Sequence, residues 1–103
     1  MMNVCIHSGV CGFITTVQAE TDSDYQTKLQ VESQCPNVKK IIEALGTLNV
    51  MNELFRKGQS EILSLSAQHL PHVTCPVPIG MLKALEASAG MALPKDVSIS
   101  FTK

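Results

Sequence analysis

Apolar and polar residues alternate along the first third of the chain. Met2 to Ser8 reads as a strand, with Val4 and Ile6 on one face and Asn3, Cys5 and His7 on the other. Ser8-Gly9-Val10-Cys11-Gly12 forms a turn bracketed by two glycines. Phe13 to Ala19 is a second strand, and Thr21-Asp22-Ser23-Asp24 is the polar turn of a hairpin. Tyr25 to Ser33 follows with the clearest alternation. Tyr25, Leu29 and Val31 point one way, and Gln26, Lys28, Gln30 and Glu32 point the other. The expectation is an antiparallel sheet with one face toward solvent.

The period then lengthens. Val38, Ile41, Ile42 and Leu45 fit the i, i+3, i+4, i+7 spacing of an amphipathic helix over Pro36 to Leu45, stopped by Gly46. Shorter helices are expected over Val50 to Arg56 and Ser60 to Leu70, separated by Gly58 and closed by Pro71. Pro76 to Ala89 is a further helix, with Ile79, Leu82, Leu85 and Ala89 on one stripe and Gly90 after it. Val97, Ile99 and Phe101 alternate with Ser98, Ser100 and Thr102 and predict a last strand. The order β-β-β-α-α-α-β predicts an α+β fold, a mostly antiparallel sheet of about four strands with helices packed on one face.

Composition narrows the class. A chain of 103 residues reads as a single domain over 1–103 that folds unaided. At 45% apolar and 17% charged it is globular, and with 4% aromatics its core is aliphatic. A net charge of −1 without a basic run, and few aromatics for stacking bases, argue against nucleic acid as a partner. The first residues lack a signal-peptide pattern and the longest apolar runs are too short to cross a membrane, so a cytoplasmic protein with reduced thiols is expected. Nothing specifies a protein partner, and a homodimer is left open. No nucleophile elbow, P-loop or dinucleotide fingerprint is present, so whether the chain is an enzyme is left open too.

The candidate chemistry lies in the four cysteines. In a reducing compartment they point to metal or redox use ahead of a disulfide framework. Three stand at the ends of elements: Cys11 before Gly12, Cys35 before Pro36, and Cys75 before Pro76-Val77-Pro78. Cys11 lies in the turn between the first two strands. The second strand runs away from it, the Asp22 hairpin reverses the chain, and Cys35 returns to the same sheet edge. Cys75 joins them only if the late helix starts at that edge. Cys35 and Cys75 are also at or near helix N-termini, where free amides and the helix dipole favour a thiolate.

Each candidate has a plainer reading. Free cysteine is among the most buried residue types, and no CxxC pair is present. Cys5 sits mid-strand and reads as structural, with His7 beside it as a reserve ligand. His72 is the candidate fourth ligand, because neutral imidazole completes Cys3His zinc sites. His69 reads as the basic end of the preceding helix. Asp22 and Asp24 lack the downstream Gly and Glu of a calcium loop and are turn residues. Met51, Met81 and Met91 read as core filler.

Ser8-Gly9-Val10-Cys11-Gly12-Phe13-Ile14-Thr15, Cys35-Pro36-Asn37-Val38-Lys39-Lys40 and Cys75-Pro76-Val77-Pro78 carry a resemblance over nearly the whole chain. So do Leu85-Glu86, Gly90 and Leu93-Pro94-Lys95-Asp96-Val97. The chain resembles a family of short, uncharacterised proteins of anaerobic bacteria and archaea. That resemblance implies an anaerobic setting, in which an oxygen-sensitive iron–sulfur site is admissible, and it supplies no activity. A local resemblance links Cys75-Pro76-Val77-Pro78 and Leu82-Lys83 to TusA-type sulfur carriers. It implies a persulfide-carrying Cys75, although those carriers place the motif near the N-terminus, after their first strand.

Three functions follow. The first is a metal-binding protein with Cys11, Cys35 and Cys75 on zinc or an iron–sulfur cluster, completed by His72, Cys5 or an exogenous group. The second is a sulfur-relay or thiol redox protein with Cys75 as nucleophile. The third is an accessory interaction domain whose cysteines only pack.

Overall fold

A computed structural model describes residues 1–103. The fold is α+β, as expected, with a four-stranded antiparallel sheet and four helices. The strands are β1 (Met2–His7), β2 (Ile14–Thr21), β3 (Gln26–Ser33) and β4 (Leu48–Asn49), in the spatial order β1-β2-β3-β4. The helices are α1 (Pro36–Ala44), α2 (Val50–Leu54), α3 (Glu61–His69) and α4 (Val77–Ser88).

The alternation of the first three strands is realised in their pairing. Val4 lies opposite Val17 and Ile6 opposite Thr15, while Val17 faces Val31 and Ala19 faces Leu29. These side chains form the inner face. Cys5, His7, Thr16, Gln18, Gln30 and Glu32 are exposed on the outer one. One core cluster joins Ile6, Val17 and Ala19 of the sheet to Val38, Ile41, Ile62, Val77, Met81, Ala84 and Leu85 of the helices.

Four local expectations are corrected. Tyr25 does not join the apolar face of β3: it is exposed in the hairpin at φ 58°, a left-handed conformation imposed by the tight turn. Asp22 builds that turn, its Oδ1 accepting from the amides of Asp24 at 2.9 Å and Gln26 at 3.0 Å. The fourth strand is Leu48–Asn49, not the Val97–Phe101 segment. It pairs with Gln26–Thr27, and Asn49 then caps α2 through the Asn52 amide at 3.0 Å. Met91 is exposed rather than core, whereas Met81 is fully buried.

Helix α4 buries a different stripe from the one expected. Val77, Pro78, Met81, Ala84 and Leu85 face inward, and Ile79 is exposed. The cause is Gly80. A Cβ there would overlap Cδ1 and Cγ1 of Ile6, so the missing side chain lets α4 sit directly on β1. No helix is long and apolar enough to cross a membrane.

Candidate functional site

Two contacts fix the direction of α4. At its C-terminal end Ser88 Oγ lies 2.6 Å from Thr21 Oγ1, at the β2–β3 hairpin. Toward its N-terminal end Gly80 packs on Ile6, whose sheet partner is Thr15. The helix therefore starts at the end of the sheet where β1 finishes and β2 begins.

Cys11 and Cys35 lie at that same end. Cys11 occupies the β1–β2 turn, which is closed by Ser8 N–H to Phe13 O at 3.1 Å and Gly12 N–H to Gly9 O at 2.9 Å. Positive φ at Gly9 (81°) and Gly12 (74°) makes the double reversal available. Cys35 follows β3 and is the N-cap of α1, with Pro36 at the first helical position. Its amide donates to Ser33 Oγ at 3.2 Å, and Ser33 Oγ in turn accepts from Thr15 Oγ1 at 2.8 Å. The cysteine is thus tied through two hydroxyls to Thr15 of β2, the sheet partner of the Ile6 on which α4 packs.

Cys75 stands one position before the N-cap of α4, which is Pro76. Its amide donates to His72 O at 3.3 Å, closing the turn that leads into the helix. Cys35 and Cys75 are half-buried and pack against the core, whereas Cys11 and Cys5 are exposed. All four thiols are free. Neither α1 nor α4 carries an Asp or Glu in its first turn, so no carboxylate competes for the amides at those helix starts.

Shared location is not assembly. No three of the Cys, His, Asp and Glu side chains gather closely enough to hold a metal ion. His72 is exposed in the loop between α3 and α4, and His69 closes α3 as a basic residue in its last turn. Cys5 is on the outer sheet face, with its Sγ 3.7 Å from His7 Nε2. A shallow depression on that face is lined by Asn3, Cys5, Thr16, Gln18, Gln30 and Glu32, away from the helix starts.

One residue escaped the sequence reading. Glu53 is buried at the end of α2, and its carboxylate receives Ser60 Oγ at 2.8 Å, Glu61 N–H at 2.7 Å and Ile62 N–H at 3.1 Å. It satisfies the free amides at the start of α3 together with Ser60, whose Oγ accepts from Leu63 N–H at 3.1 Å. Its sequence neighbourhood gave one usable signal, the Ser60 helix start. The carboxylate itself fills a structural place.

The profile of DUF6951, described as a family of unknown function, matches residues 2–101. The chain belongs to that family. The match takes in Cys11, Cys35 and Cys75 and the segment up to Phe101. Comparison with curated proteins and with solved structures returned no significant match.

Proposed function

We propose that this DUF6951 chain binds a soft metal, one zinc ion or an iron–sulfur cluster, at the sheet end carrying Cys11, Cys35 and Cys75. The direction of α4 supports this reading. The Thr21–Ser88 contact holds the far end of the helix at the hairpin, which leaves Cys75 at the Cys11 and Cys35 end. Three sulfurs suit zinc or an iron–sulfur centre, and His72 or an exogenous group would complete the shell. An anaerobic, cytoplasmic setting fits four free thiols and an oxygen-sensitive centre.

Cys11 is the ligand that has to travel. It is exposed, and its turn is closed by two backbone hydrogen bonds with Val10 fully in solvent. Cys35 and Cys75, by contrast, are anchored by core packing at two helix starts. Metal binding then ties the β1–β2 turn to α1 and α4 and adds its binding energy to folding. Anaerobic purification with metal and sulfide analysis and an absorption spectrum tests this. The expected result is one metal site per chain. A colourless, metal-free protein that takes up neither zinc nor a reconstituted cluster would overturn it.

That no three donors are gathered favours a second reading, in which Cys75 works as a single nucleophile in sulfur relay or thiol redox chemistry. Its place ahead of α4 in Cys75-Pro76-Val77-Pro78 resembles the motif of TusA-type carriers. Alkylation distinguishes the two. A Cys75 that reacts no faster than a simple thiol near neutral pH removes this second reading.

A further inference from the structure

The chain contains two unpaired halves of a β-ladder. The first is the segment after Lys95. No backbone group beyond that residue is hydrogen-bonded to another backbone group. Val97, Ile99 and Phe101 are 66%, 88% and 100% exposed, and Ser98, Ser100 and Thr102 occupy the alternate positions. β-Branched and aromatic residues at every second position describe a strand with one apolar face. No charge falls between Val97 and Thr102.

The second half is the outer edge of β1. This strand lies at the border of the sheet, and none of its residues makes a backbone hydrogen bond on the side away from β2. In an antiparallel edge strand every second residue directs its N–H and C=O outward. Edges of this kind are usually protected by a charge, a proline or a bulge. Met2-Asn3-Val4-Cys5-Ile6-His7 has no Lys, Arg, Asp, Glu or Pro, and its register with β2 is unbroken from Met2 to His7. Six residues of β1 span about 20 Å and the five of Val97–Phe101 about 17 Å, so the lengths match.

We propose that Val97–Phe101 pairs as an added strand on β1 of a second copy of this chain, and that the exchange is reciprocal. One chain carries both the strand and the edge, so two copies close a two-fold dimer without leaving a free half. The occupant is a second copy because the segment leaves its own body. Residues 93–103 are exposed throughout, and none of them from Asp96 onward makes a backbone hydrogen bond to the rest of the chain. In the pair, Val97, Ile99 and Phe101 extend the inner sheet face beyond Met2, Val4 and Ile6. A negligible net charge of −1 per copy offers little repulsion between them.

Sedimentation velocity and light scattering on the full chain at micromolar concentration test the proposal, with hydrogen exchange as the local readout. The expected result is a dimer in which amides of β1 and of 97–101 gain protection together as concentration rises. The double substitution Ile99→Lys, Phe101→Lys lies outside the core and leaves the fold intact by circular dichroism. It weakens self-association by at least about 100-fold, because two apolar side chains lose their burial. A synthetic peptide covering 95–103 competes and shifts the wild-type chain toward monomer. A wild-type monomer, or a dimer that survives the double substitution, overturns the proposal. So does protection of 97–101 in a monomer, which places the segment on its own edge.

Discussion

Thr21 Oγ1 and Ser88 Oγ lie 2.6 Å apart and join the β2–β3 hairpin to the last turn of α4. Thr21 Oγ1 is also 2.7 Å from Thr27 Oγ1, and Ser88 Oγ donates to Leu85 O at 2.9 Å. One proton arrangement satisfies the whole row: Thr27 donates to Thr21, Thr21 to Ser88, and Ser88 to the Leu85 carbonyl. The row runs from the sheet into the helix and sets which end of α4 meets which end of the sheet. Through α4 it also places Cys75.

Thr21→Val interrupts the row at its centre and leaves the fully buried Thr27 hydroxyl without its partner. The expected loss is about 1–3 kcal/mol in urea unfolding, the cost of an unsatisfied buried polar group. Ser88→Ala alone costs about 1 kcal/mol, and less in the Thr21→Val background because both remove the same contact. Additive losses would show that the two hydroxyls act independently.

Glu53→Ala removes the acceptor for Ser60 Oγ and for two amides at the start of α3. Charge-assisted hydrogen bonds of this kind are worth more than neutral ones, and the expected destabilisation is about 2–4 kcal/mol. Glu53→Gln keeps one oxygen but turns an amide NH2 toward donors, so it recovers only part of the loss. Denaturant unfolding of both variants checks the order.

Gly80→Ala sets a helix-propensity gain of about 1 kcal/mol against overlap with Ile6. The overlapping atoms are Cδ1 and Cγ1 of a β-branched side chain packed in the core, so Ile6 has to change rotamer. Strain of about 1–3 kcal/mol from overpacking outweighs the gain, and the variant is less stable. Ile6→Ala costs less in the Gly80→Ala background than in the wild type. Equal costs in the two backgrounds would show that α4 has moved off β1 instead.

The sheet and the helices were legible because their periods are clean. Alternation at Val4, Ile6, Leu29 and Val31 and the helical spacing at Val38 and Ile41 each reported an inward face. Hairpin geometry also brought Cys35 back to the Cys11 end without any long-range information. What escaped depends on contacts between distant elements. The buried stripe of α4 follows from Gly80 meeting Ile6, and two-residue β4 has no period to read. Glu53 carries no local signal of its burial, which arises only because the turn around Gly58 returns the start of α3 onto it. Val97–Phe101 has the pattern of a strand, but alternation reports which partner a segment would accept, not that its own sheet provides one.

The thiol end is probed most directly by titrating the reduced chain anaerobically with cobalt(II), a spectroscopic stand-in for zinc, while following thermal unfolding. The account predicts sulfur-to-cobalt charge-transfer absorption that saturates at one ion per chain, together with a higher unfolding midpoint. Cys11→Ser, Cys35→Ser and Cys75→Ser each reduce both signals. No charge-transfer band, or a band and midpoint unchanged in all three serine variants, would contradict a metal site built from Cys11, Cys35 and Cys75.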